Sequence, residues 1–207
     1  DTAISLTPNH ASAHWNNAIH WLRLANFELG WSLYEWRWKS EKQIGKPLET
    51  SKPIWNGQSN KRVLVWPEQG IGDEIMFGSI IPDLEKLCSK VIIKCDERLI
   101  PLFRRSFPEG VDFFTRTDSI PEGVYDSHIP FGSLPMLLRP TLESFHDSSG
   151  PYLSYDGEKT KNLRKKLVSD DSQQLIGLSW HSNSILTGAQ HRNINIEKLA
   201  QLLNRNN

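Results

Sequence analysis

Two glycines and three carboxylates stand together in Glu68-Gln-Gly-Ile-Gly-Asp-Glu-Ile75, just after the short apolar run Arg62-Val-Leu-Val-Trp66. An apolar run, a turn and a helical pattern in that order make a strand, loop and helix. The loop then falls at the carboxyl end of the strand, where open α/β sheets bind ligands. Gly70 and Gly72 permit positive φ and close approach of the backbone to a ligand. The free amides that open the next helix can hold an anion or an oxyanion, which makes both glycines candidate binding residues. Asp73 and Glu74 fall in the first helical turn. A carboxylate at such a place can take the proton of an alcohol within hydrogen-bond reach. It also complements the helix dipole, an effect of about 0.3–1 kcal/mol that requires no function.

The spacing argues against other chemistries. Ile75 stands where the third glycine of a dinucleotide fingerprint belongs, and no Gly-Lys-Ser/Thr follows, so NAD and ATP are disfavoured. Ser133 and Ser179 lack a nucleophile elbow, which leaves a hydrolase triad unsupported. His10 and His14 have helical ligand spacing but no third ligand beside them, so no metal site is expected. Arg104-Arg105 and Lys165-Lys166 are short basic pairs on predicted helices and suit solvated faces.

The elements that must position the loop follow from periodicity. Residues 9–39 carry five of the eight tryptophans, with apolar positions spaced three and four apart (Trp15, Ala18, Trp21, Leu22; Phe27, Gly30, Trp31, Tyr34). That spacing predicts two amphipathic helices joined near Ala25-Asn26. Residues 41–60 are polar and turn-rich, a linker or wrapping loop. From 61 to 150 strands alternate with helices: 62–66, a helix over 73–87, 91–95, a helix over 97–106, 111–115, 125–129 and a short helix over 131–138. This pitch predicts a parallel, Rossmann-like sheet. Residues 151–207 supply a helix over 158–168, a new strand at Leu175-Ile-Gly-Leu-Ser-Trp180 and a helix over 194–203.

The chain has 207 residues with 24 basic and 24 acidic side chains. Zero net charge gives no long-range pull on nucleic acid. No run approaches the roughly 20 apolar residues of a membrane span. Cys88 and Cys95 sit at a helix end and in the next strand, which suits reduced, buried thiols. The expected location is cytoplasmic. The opening Asp1 carries no leader, which fits a piece of a longer protein.

Ala13-x-x-Asn16-x-Ala18, Leu24, Phe27-Glu28, Gly30 and Tyr34 resemble a tetratricopeptide repeat, with Ala25 where the turn usually has Gly, and Pro8-Asn9 resembles the close of a preceding repeat. Tyr34-Glu-Trp-Arg-Trp38, Pro53-x-Trp55-x-Gly57, Glu68 to Ile75, Arg104-Arg-Ser-Phe-Pro108, Ile129-Pro-x-Gly-Ser-Leu-Pro135 and Ile176-Gly-Leu-Ser-Trp180 resemble, in order, bacterial tetratricopeptide proteins with a heptosyltransferase-like C-terminal region. The resemblance implies two Rossmann-like domains of GT-B type facing across a cleft. This chain would hold the acceptor-side domain and the opening of the nucleotide-sugar domain. It implies an inverting glycosyltransferase in which Asp73 deprotonates the acceptor hydroxyl, with Glu74 in reserve. His181 and Arg192 would lie on the donor side, Arg192 suiting a phosphate by its planar fork. Ser182-Asn183-Ser184 departs from the Gly pair common at that point. The nucleotide-sugar is a substrate, so no cofactor is expected, and no metal. The implied partners are that donor, a glycan or protein acceptor, and a protein bound by the repeat array. The rival reading is a non-catalytic scaffold whose Rossmann-like unit has kept only its fold.

Overall fold

The computed structural model describes residues 2–40, 45–107, 109–145, 151–170, 172, 174–181 and 193–203. The chain divides into two compact units, residues 1–156 and 157–207. The first begins with helix α1 (Thr2–Leu6), α2 (Ala11–Arg23), α3 (Phe27–Tyr34) and a 3-10 turn (Glu35–Lys39). Helix α2 starts where the His10 ring accepts the Ala13 amide, and α3 where Asn26 Oδ1 accepts from Leu29. Between them Ala25 takes φ 58°, the left-handed region in which a Cβ is strained. The two helices pack closely because Gly30 faces Leu22: an added Cβ would lie 2.6 Å from Leu22 Cδ2 and 3.1 Å from its backbone nitrogen.

Strands β1 (Arg62–Trp66), β2 (Lys90–Cys95), β3 (Val111–Thr115) and β4 (Ser127–Pro130) form one sheet in the order β3-β2-β1-β4, every neighbouring pair parallel. The mixed α/β fold is therefore Rossmann-like. Central strands buried on both faces read as continuous Val/Ile/Leu runs, and Val63, Leu64, Val65 and Val91, Ile92, Ile93 do so. Helices α4 (Ile71–Gly78), α5 (Ile81–Leu87), α6 (Ile100–Ser106) and α7 (Leu134–Leu138) join one core with Val63, Val65, Val91 and Ile93. The opposite face is small. Leu64, Ile92 and Tyr125 are covered there by Leu48, Phe114 and Ile120.

The segment between the 3-10 turn and β1 wraps the edge of the sheet. The His128 amide donates to Pro53 O and its carbonyl accepts from Trp55 N, so Ile54 pairs in parallel with β4. Glu122 accepts from Thr50 Oγ1 at 2.7 Å and from the Ser51 amide at 2.6 Å, fastening the same segment lower down.

Two sequence expectations are corrected here. The single helix expected over 73–87 is two, because Pro82 at the second position of α5 has no N–H and its ring collides with the carbonyl one turn back. The segment 175–180, expected to be a strand, forms no strand ladder among the described residues. Leu175 and Ile176 are exposed, and a strand forms only where a neighbour completes its ladder. The second unit otherwise contains α8 (Gly157–Leu167) and α9 (Ile196–Leu203), with the Ile194 amide donating to Trp180 O at 2.9 Å. Among the described residues no helix is long and apolar enough to cross a membrane.

Candidate functional site

In the order β3-β2-β1-β4 the chain reverses direction of growth at β1 and β4, and the crevice at such a switch point is the usual ligand position. Here side chains bridge it. Glu68, two residues past β1, points Oε1 at the Gly132 amide in the loop after β4 (3.0 Å), at Gln69 Nε2 (3.1 Å) and at Arg37 Nη2 (3.1 Å). Arg37 comes from the 3-10 turn and also donates to Ser133 Oγ (2.8 Å) and Glu35 Oε1 (2.6 Å). Its side chain and that of Glu68 are both wholly buried. Burial pushes the Glu68 carboxyl up, while Arg37 and the two amide donors hold it down. Gly132 is required at this point, since a Cβ there would sit 2.4 Å from Glu68 Oε1.

Asp73 lies on the lip of the loop. It is partly exposed, and its Oδ2 accepts the Gly70 amide at 3.0 Å, closing the first turn of α4. Tyr34, on α3, donates its hydroxyl to Gln69 Oε1 at 2.9 Å. Burial raises the Tyr34 hydroxyl's pKa, with the Asp73 charge adding to that rise. Neither loop glycine uses the freedom expected of it. Gly70 has φ −79°, and the positive-φ glycines among the described residues are Gly45 and Gly57. The physical reason is that Gly70 is an ordinary extended N-cap. A Cβ at Gly72 would meet nothing within 4 Å, which leaves its surface open.

Glu74 is placed differently from its neighbour. It is 1% exposed, its Oε2 accepts the Asp96 amide at 2.7 Å, and its Oε1 pairs with Arg116. Arg116 in turn donates to Gln69 O at 2.7 Å. Glu74 thus ties together the loops after β1, β2 and β3. Burial drives its carboxyl up against the lowering by Asp96 N–H and Arg116. Beside this tie an open crevice of about 380 Å3 lies between Asp96, Arg98, Thr115 and Arg116.

His181 is exposed in the second unit, and Arg192 lies outside the described residues. His10 caps α2, and His14 stacks on Trp36 with ring centroids 3.9 Å apart. Among the described residues no group of three His, Cys, Asp or Glu could hold a metal. Cys88 and Cys95 are free thiols, pushed up by burial to about 11 and about 12.

Sequence reasoning assigned no role to Arg37, Glu68 or His128. A lone Arg between two tryptophans, and a Glu directly beyond an apolar strand, were the available signals. His128 left none. It lies on β4, accepts Trp66 Nε1–H at its Nδ1 (2.9 Å) and bonds the Lys52 backbone, so its neutral form is fully used.

No family model matches the chain, and no solved structure gives a significant match. Among curated proteins it is similar to Protein FlbA of Caulobacter vibrioides, with 27% identity over 178 residues. That alignment takes in 78% of this chain and 30% of FlbA, so the chain spans less than a third of that relative's length.

Proposed function

We propose that the first unit is the acceptor-side domain of an inverting glycosyltransferase, with Asp73 as its general base. The acceptor hydroxyl oxygen attacks the anomeric carbon of a nucleotide-sugar. Its proton passes to Asp73, and the nucleoside diphosphate leaves with the electrons of the broken C–O bond. The observation that carries this reading is the place of Asp73. It stands at the carboxyl edge of a parallel sheet, partly exposed, with one oxygen held by Gly70 N–H and beside a glycine whose surface is open. A fixed carboxylate is suited to receive a proton without reorganising. Glu74, buried and ion-paired, acts instead by fixing the loops around Asp73. Helices α2 and α3 serve as the last unit of a repeat array that recruits the acceptor, and residues 157–207 open the donor domain.

A second reading, a scaffold without catalysis, draws on one observation: the crevice between β1 and β4 is bridged by Arg37, Glu68 and Ser133. Full-length protein separates the two. The transferase warms its melting transition on addition of UDP, GDP or ADP and releases one of them from the matching nucleotide-sugar; a scaffold does neither.

A further inference from the structure

Asp73 and Met76 are three residues apart on α4, and Asp73 and Phe77 four, so all three lie toward one face with the apolar pair one turn farther from the loop. Trp31 and Tyr34 have the same relation on α3, their rings 5.7 Å apart. Tyr34 donates to Gln69, whose neighbour Gly70 gives its amide to Asp73, and Trp31 meets Phe77 edge-on at 6.3 Å. The two helices therefore carry a polar rung, Tyr34 and Asp73, and beneath it an apolar rung of Trp31, Met76 and Phe77.

The apolar rung lines a cavity of about 600 Å3 that also takes in Ile80 and Phe145. That volume is within the range of small-molecule sites, which are mostly apolar with a few polar groups. Met76 stands at its mouth, 56% exposed. Asp83, Lys86 and Arg139 supply the charged part of the lining. Asp83 pairs with Lys86 at 3.0 Å and with Arg139 at 2.5 Å, so two cations share one carboxylate and the lining keeps one positive charge. A neutral or singly anionic guest suits that balance, and a cation does not.

We infer that this cleft holds the apolar body of a hydroxyl-bearing amphiphile, oriented with its hydroxyl toward the Asp73 rung. The orientation rests on the transferase reading; the binding does not. An acceptor with an apolar or aromatic body is thereby distinguished from a small polyol, which would leave the lower rung wet.

The test uses full-length protein and the fluorescent probe 1-anilinonaphthalene-8-sulfonate, an aromatic monoanion. Expected are one saturable site per chain, displacement by 4-phenylbutan-1-ol and none by glycerol. Met76→Glu, at an exposed position, should weaken the probe at least tenfold with little change in Tm, while Met76→Leu leaves it bound. Should Met76→Glu not fold, Lys86→Glu tests the same charge balance and should weaken the probe about fivefold or more. No saturable binding, equal displacement by glycerol, or indifference to these charge reversals would overturn the inference. If the protein binds the probe as expected yet transfers no sugar, the cleft stands and the transferase reading falls. If it glycosylates small polyols with an acceptor KM that Met76→Glu does not alter, the reading stands and the cleft falls.

Discussion

Arg37 and Glu68 form a wholly buried ion pair, 3.1 Å from Nη2 to Oε1, between a turn of the helical segment and the loop that follows the first strand. Neither charge has water to fall back on, so each depends on the other and on the Gly132 amide and Ser133 hydroxyl. The helices are by this contact an integral part of the α/β unit rather than an appendage to it.

Removing one partner of such a pair leaves the other charge buried and costs about 3–5 kcal/mol. Arg37→Met should therefore lower the urea midpoint strongly. Arg37→Met combined with Glu68→Gln should recover part of the loss, because Gln keeps an acceptor for Gly132 N–H. Tryptophan fluorescence and far-UV circular dichroism should report one transition for helices and sheet. A loss under about 1 kcal/mol in the single variant would show the pair to be solvated.

Ala25 and Gly30 make an opposed pair of tests in the helical segment. Ala25→Gly relieves a Cβ at φ 58° and should stabilise by about 0.5–1 kcal/mol, a rise in Tm of about 1–4 °C. Gly30→Ala drives a methyl into Leu22 and should cost about 1–3 kcal/mol. The opposite signs would mean that the helices pack in another register.

The strands were legible in the sequence because each is a short apolar run between turn residues. β1 and β3 fall at 62–66 and 111–115 as expected, and β2 gains only Lys90. The parallel pairing followed from the alternation with helices. The switch-point network was not legible. Arg37 and Glu68 lie 31 residues apart, and Arg37 reads as an ordinary charged residue between two tryptophans until the 3-10 turn buries it beside Glu68. Likewise Glu74 shares its composition with a dipole-capping residue, and only the return of β2 and β3 beside it supplies Asp96 and Arg116 as partners. The strand expected at 175–180 shows the limit from the other side: an apolar run specifies a preference, and the ladder needs a second strand.

Glu74→Gln tests the division of labour between adjacent carboxylates. It keeps one acceptor but loses the ion pair with Arg116, which is itself partly solvated, so the expected cost is about 1–2 kcal/mol in chemical denaturation. Wild-type stability in Glu74→Gln would mean that the tie between the loops is slack.

His128 makes stability depend on pH. Burial holds its folded pKa below 6.5, partly offset by the bond to Lys52, so the neutral ring is the native form. For a depressed histidine the stabilisation is present above the unfolded pKa of about 6.5 and is lost as pH falls toward the folded value. Protonation of Nδ1 would set one N–H against that of Trp66. Denaturation midpoints should decline from pH 7.5 to 5, and His128→Gln should flatten that part of the profile. An equal slope in both proteins would assign the effect to other groups.

The role of Asp73 is tested most directly by single-turnover sugar transfer in full-length Asp73→Asn. Asparagine keeps an oxygen for Gly70 N–H but cannot take a proton. The rate should fall by about a hundredfold to ten-thousandfold, with Tm within about 1 °C of wild type and nucleotide binding intact. Transfer at the wild-type rate, or a collapse of Tm that accounts for the lost activity, would contradict that role.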